Sequence, residues 1–239
     1  MKELEGQSVL CIGGASGMGR GIAEAATAAG AHVVVTARSE EKARKAADEI
    51  GCASAAVDIS DEASVRALIG GLDRLDHLAI TAGATGRSSF SDTPPGEASR
   101  FLDGKLWATH RCLWAAKDVL SKDGSITLIS GGYATEVTDE AGHVHIAFQA
   151  FEAMARVAAK SFAPIRCNVL RPGFIDSALW DFMDEVERKA LRAEERSKTA
   201  EGKIVTPLQF GEAAIRIMTS RAITGAVIPV DGGRHLFVS

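Results

Sequence analysis

The chain has no apolar run approaching the roughly 20 residues of a membrane span, and its opening MKELEGQSVL has no stretch long enough for a signal peptide. A cytoplasmic protein is expected. It is also poor in cysteine, with four in 239 residues. Cys11, Cys52, Cys112 and Cys167 are far apart, lie in apolar surroundings and form no CxxC pair, so neither a disulfide framework nor a zinc site is indicated. Excess charge of one sign is missing too. With 27 basic against 31 acidic residues the formal net charge is −4, which provides no electrostatic footprint for a nucleic-acid backbone or an anionic membrane. Linker-like, low-complexity and repeated segments are absent, and 46% hydrophobic positions suffice for one large core, so residues 1–239 read as a single domain.

What is present is a rhythm. Short apolar runs (SVLCIGG, HVVVTA, SAAVDI, HLAITAG, SITLIS, IRCNVL, AVIPV) alternate with stretches of helical apolar spacing such as GRGIAEAATAAG and FEAMARVAAKSFA. Strands that are apolar almost throughout belong to a parallel sheet covered on both faces. The expected fold is a doubly wound α/β sheet of about seven parallel strands with helices on both faces. The charged stretch from Asp184 to Lys203 interrupts this pattern, and residues 178–203 read as a solvated, substrate-covering insertion.

The first strand, Ser8 to Ile12, runs into Gly13-Gly14-Ala15-Ser16-Gly17-Met18-Gly19, and an Ala-rich helix is expected from Arg20. Glycines between a strand and a helix permit a tight turn, let backbone approach a pyrophosphate and leave the helix N-terminus open to the anion. Gly13, Ser16, Gly17, Met18 and Gly19 are therefore candidate dinucleotide contacts. The second strand ends without the carboxylate that would hold the ribose hydroxyls of NAD and continues instead into Arg38 and Ser39. A guanidinium pairs bidentately with a 2′-phosphate, which favours NADP(H).

The order Gly13…Gly17-x-Gly19, Asp58, Ala82-Gly83, Arg171-Pro172-Gly173 and Val230-Asp231-Gly232-Gly233 resembles the short-chain dehydrogenase/reductase (SDR) family over nearly the whole chain. The resemblance implies a Rossmann-type fold. It also implies that Asp58 and Ile59 meet the adenine, Ala82 and Gly83 the adenosine ribose side, and Pro172, Gly173, Ile175 and Ser177 the nicotinamide end. Thr81 stands where the family usually has Asn, and its hydroxyl can still bond backbone.

Family members typically carry Tyr and Lys four apart, a Ser about 13 residues upstream and an Asn on the preceding helix. Aligned on Glu152 to Asn168, this chain has Val144 at the Tyr position, Phe148 at the Lys position, Gly131 at the Ser position and Lys105 at the Asn position. All four depart from the pattern. Val and Phe cannot protonate an alkoxide, a service worth about 10²–10⁴ in rate. Replacement candidates are Lys105 for positive charge or a proton, His145 with His143 beside Val144, and Ser130 or Tyr133, the one tyrosine, for a substrate oxygen. Each also has a structural alternative: a solvated histidine, a serine at the cofactor, a tyrosine anchoring a loop.

Phe90, Trp107, Trp114, Phe148, Phe151 and Trp180 could line an apolar pocket, but aromatics on amphipathic helices more often fill a core or a subunit interface, and the interface is the favoured reading for the helices carrying Trp107–Trp114 and Phe148–Phe151. By the resemblance, the helices carrying Trp107–Trp114 and Phe148–Phe151 pair across a homodimer or homotetramer axis. The expected function is NADPH-dependent reduction of a small carbonyl or similar C=X substrate. The alternative is a non-catalytic NADP(H)-binding redox sensor or scaffold. An enoyl-reductase arrangement is disfavoured because no Tyr precedes a Lys at the required wider interval on this helix.

Overall fold

In the computed structural model, residues 2–83, 88–177 and 180–237 are described. Seven parallel strands form one sheet in the order β3-β2-β1-β4-β5-β6-β7: β1 Ser8–Ile12, β2 His32–Ala37, β3 Ala53–Ala56, β4 Leu75–Ile80, β5 Leu120–Ile129, β6 Arg166–Pro172 and β7 Val227–Val230. The doubly wound sheet expected from the sequence is observed. Its strand order reverses between β1 and β4, and at such a switch point a crevice opens beyond the carboxyl ends of the strands.

Successive residues of β1 feed opposite layers, as the two-residue period of a strand requires. Leu10 and Ile12 join a core closed by α3 (Glu62–Gly70), α5 (Ala108–Ala116) and α6 (Gly142–Ser161), in which Phe151 is fully buried. Val9 and Cys11 join a second core, closed by α1 (Gly17–Ala28), α2 (Glu40–Ile50) and α8 (Pro207–Thr219). The α1 and α8 backbones cross at Gly21 and Gly211, where a side chain on either would overlap the other helix. Three of the four thiols, Cys11, Cys112 and Cys167, are buried and free, and Cys52 is half-buried.

Two local expectations are revised. The first helix spans from Gly17, not Arg20: Ser16 takes the extended N-cap conformation and Gly17 enters the helix with φ +53°. Phe151 does not face a partner: it lies at 0% exposure inside its own core, and the exposed large apolar residues on these helices are Trp107, Trp114, Ile146 and Val157.

The acidic and basic stretch after β6 forms α7 (Glu185–Ser197), with α4 (Pro95–Leu102) preceding a π-helical turn, Asp103–Trp107, earlier in the chain. Helix α7 starts with a reciprocal cap between Asp184 and Glu187. Its charges are not only a solvated face. Arg188 and Arg192 reach Asp176 at 2.8 and 2.5 Å. Arg234 binds the nearly buried Glu195 at 2.6 Å and also pairs with Glu136. The segment is thereby pinned to the loop after β6, the turn after β5 and the C-terminal turn. No described helix is long and apolar enough to cross a membrane.

Candidate functional site

The crevice at the switch point is a cavity of about 400 Å³, lined by Gly13, Ala15 and Ser16 of the glycine turn, Thr36 to Arg38 at the end of β2, Lys42 of α2, Val57 to Ser60, Ala82, Gly83, Gly104 and Ala108. Gly13 has φ +84°, and a Cβ there would come within 2.7 Å of Thr81 Oγ1 and 2.8 Å of Ala82 N, so the turn needs glycine for both conformation and space. Thr81 Oγ1 donates to the carbonyls of Ile12 or Gly13 at 3.2 and 3.1 Å, and Gly13 N donates to the Thr36 hydroxyl at 3.3 Å. The threonine at the family's Asn position thus bonds backbone.

Helices α2, α3, α7 and α8 have their first N–H groups capped by Ser39, Asp61, Asp184 and Thr206. Helix α1 has neither a side-chain cap nor an acidic residue in its first turn. Its N–H groups and positive dipole end therefore remain for an anion at the glycine turn. Gly17 sits beside Ser177: a Cβ on Gly17 would lie 3.6 Å from Ser177 Oγ, which joins the glycine turn to the loop after β6.

Arg38 is exposed at the rim, and Lys42, in the first turn of α2, adds a second cation to the same wall. Lys42 escaped the sequence reading, although a basic residue four positions after Arg38 at a helix start was the signal available. Ser39 is engaged as the α2 cap, accepting from Lys42 N at 3.3 Å. Asp58 is held below the usual carboxylate range, chiefly by the Ser60 hydroxyl and N–H at 2.7 and 2.9 Å. Ile59 is buried beside it, and Ser60 lines the cavity.

At the far end, Pro172 closes β6, Gly173 packs against Asp231, and buried Ile175 bridges to Val205. The Ile175 carbonyl accepts from Trp180 Nε1 at 3.0 Å, and the Trp180 ring stacks 5.1 Å from Phe174.

The structure brings Ser130, Gly131, Tyr133, Val144, His145 and Phe148 together where the turn after β5 meets the start of α6. Their arrangement is closed rather than poised. The Phe148 ring fills the space in front of Gly131, so closely that a Cβ at 131 would come within 2.5 Å of it. Val144 is 3% exposed. His145 Nδ1 bonds the Tyr133 carbonyl at 2.9 Å, which makes Nδ1 the protonated nitrogen, and Gln149 Nε2 donates to the Ala134 carbonyl at 2.5 Å. Buried Ser130 donates to Glu152 Oε1 at 2.9 Å, and Arg171 clamps both oxygens of Glu152 at 2.9 and 2.7 Å. This Ser130–Glu152–Arg171 group ties β5, α6 and β6 below the vacated positions. The sequence reading did not find it, since 19 residues separate Glu152 from Arg171.

Lys105 lies on the π-helical turn behind Gly83 and is 3% exposed. No described carboxylate pairs with it. Nζ has the Ala82 carbonyl at 3.5 Å and the face of Phe151 at 4.8 Å, and burial pulls its pKa down to about 8. No hydrogen bond links it to Ser130, Tyr133 or His145. His143 bonds Ser88 Oγ at 3.2 Å and stacks on Phe90.

A family profile described as enoyl-(acyl carrier protein) reductase matches residues 13–235. Among curated proteins, an inactive 2-(S)-hydroxypropyl-CoM dehydrogenase of Xanthobacter autotrophicus is 30% identical over 89% of this chain and 98% of its own length. Among solved structures, the MalC reductase/Diels-Alderase of Malbranchea aurantiaca superposes with a TM-score of 0.91 at 25% identity over 98% of both chains. A small-chain dehydrogenase in complex with NADPH superposes at 0.82 with 27% identity, over 97% of this chain and all of its own.

Proposed function

The chain belongs to the short-chain dehydrogenase/reductase family, and from that premise we propose that it is an NADP(H)-dependent oxidoreductase reducing a small carbonyl or similar C=X bond through a non-standard site. The observation that carries the cofactor is the crevice itself, with an uncapped α1 N-terminus at the glycine turn and the Arg38–Lys42 pair at the end of β2. A phosphorylated dinucleotide fits this donor set: the turn suits the pyrophosphate, Asp58 and Ile59 the adenine, Ala82 and Gly83 the adenosine ribose side, and the two cations a 2′-phosphate. That a relative of similar fold was solved with NADPH supports the same choice.

Bound NADPH would supply hydride, and the chain's residues would place it. Pro172, Gly173, Ile175 and Ser177 border the nicotinamide end, Lys105 contributes charge behind the Ala82–Gly83 turn, and Ser130, Tyr133 and His145 form the nearest polar rim. Residues 178–203, of which 178 and 179 lie outside the described residues and half form the ion-paired α7 strap, cover the substrate. The exposed apolar residues Trp107, Trp114, Ile146 and Val157 of the α5 and α6 region meet a second copy of the chain.

The test is single-turnover oxidation of NADPH, followed by absorbance, across ketones, imines and enones. Tight NADPH binding with no hydride transfer to any of them would overturn the enzymatic reading. It would favour the second one, a non-catalytic NADP(H)-binding sensor or scaffold. Gly131, Val144 and Phe148 at the usual catalytic positions motivate that alternative, as does a 30%-identical relative that is itself named inactive.

A further inference from the structure

Resting on that reading, we propose that the substrate is a C=N compound reduced as its cation, an iminium ion, and not a ketone. Among the described residues, three polar hydrogens around the Gly131–Phe148 contact are committed elsewhere, Ser130 to Glu152, one Gln149 N–H to the Ala134 carbonyl and His145 Nδ1 to the Tyr133 carbonyl, while the Tyr133 hydroxyl stands outside this set and is tested below. Glu152 accepts from Arg171 on both oxygens and from Ser130 on one. The wall at the usual Tyr, Lys and Ser positions is Val144, Phe148 and a glycine that the Phe148 ring covers.

Hydride addition to a ketone carbon forms a C–H bond and leaves an alkoxide, which must take a proton from a donor. Against Val144 and Phe148 themselves that negative charge meets neither a hydrogen bond nor a cation, since Lys105 is buried behind Gly83 on the Ala82 carbonyl, and separating it from the oxidised nicotinamide is costly in an apolar enclosure. At an iminium carbon the same C–H bond forms, the C=N π pair settles on nitrogen, and the product is a neutral amine. Two electrons and one hydrogen have moved, positive charge has passed from substrate to cofactor, and no proton is consumed. Charge is transferred and not separated. A neutral imine reaches the reactive state by taking its proton from water beforehand, because its nitrogen is basic, whereas a ketone oxygen is not. The apolar wall that blocks ketone reduction therefore favours C=N reduction, since the substrate loses charge on the way to the transition state.

The experiment uses the full chain in two stages. NADPH binding is first read by nucleotide fluorescence. The NADPH-loaded protein is then offered an N-methyl dihydroisoquinolinium salt, the N-unsubstituted dihydroisoquinoline, and tetralone, a ketone of similar shape. Turnover is corrected for the spontaneous reaction, and deuterium transfer from labelled NADPH into the amine is read by mass spectrometry. The expected result is reduction of the iminium salt at least about 10²-fold faster than tetralone, the lower bound of what a general acid is worth. The neutral imine should slow with rising pH along its own protonation curve, and the N-methyl salt should not follow that curve. Comparable or faster reduction of tetralone overturns the inference, as does NADPH binding without turnover of the salt. Loss of tetralone turnover in Tyr133→Phe would identify a working proton donor and overturn it as well. Failure to bind NADPH at the first stage overturns the underlying cofactor reading, and is distinguished from the other outcomes before any substrate is added.

Discussion

Gly131→Ser, the change that puts a serine where the resemblance expects one, is expected to destabilise this protein. A Cβ at 131 would lie 2.5 Å from Phe148 Cε2 and 2.8 Å from Cζ, about an ångström inside ordinary contact. The ring must swing or the turn after β5 must move, and overpacking of this kind costs about 1–3 kcal/mol. For a chain of this size that corresponds to a fall in Tm of roughly 2–4 °C per kcal/mol. If the clash is with the ring, Phe148→Ala should remove it. The double variant Gly131→Ser/Phe148→Ala should then be more stable than the sum of the single changes predicts, by about 1 kcal/mol or more. The assay is urea unfolding of the four proteins, analysed as a double-mutant cycle with unchanged m values. A coupling near zero would refute the reasoning, because Gly131 and Phe148 would then be independent departures and not one packed unit. The same coupling means that a Tyr–Lys reductase site cannot be rebuilt here one residue at a time.

Arg38→Asp should weaken NADPH binding by about 10–100-fold, the equivalent of one charge-assisted interaction, and turn the preference toward NADH. Fluorescence titration with both nucleotides measures this, with Lys42→Ala giving a smaller loss in the same direction. His77 is buried between Ser125 and Gln7, and burial, partly offset by Asp76, lowers its pKa to about 4. It folds neutral, so its contribution is complete above the ordinary value of 6.5 and is lost as the pH falls from there through 4. Across that interval His77 should account for about 3 kcal/mol of acid destabilisation, and His77→Gln should flatten the pH dependence of urea stability there. Arg234→Met would leave Glu195 and Glu136 without their shared guanidinium. Burial raises the pKa of Glu195, but Arg234 and Lys198 more than offset it and hold it low. A loss of about 3 kcal/mol is expected, with earlier proteolysis within the α7 strap as a second readout.

The features that were legible in the sequence are local. The alternation of apolar runs and helical spacing identified all seven strands, because a buried strand or an amphipathic helix writes its period into neighbouring residues. The glycine turn and Arg38 were readable for the same reason: a strand, a turn and a helix start are contiguous, and their backbone demands act on adjacent positions. The expectation that Val144 and Phe148 stand at the family's Tyr and Lys positions came from identities at an assumed register.

Tertiary structure alone decided how the chain responds to those losses. Phe148 reaching back over Gly131, Arg171 clamping Glu152 beneath Ser130, and Arg234 drawing Glu136 and Glu195 together each join elements far apart in the chain. No periodicity records such contacts, because they depend on where whole strands and helices come to rest. Lys105 is the clearest case. By sequence it is a cation near a vacated site, whereas in the fold it is a buried amine behind Gly83 with a carbonyl and a phenyl ring for company. Sequence determined the sheet and the glycine turn at its switch point, through local periods and backbone geometry. Packing across the sheet decided that Phe148 covers Gly131 beside a buried Val144.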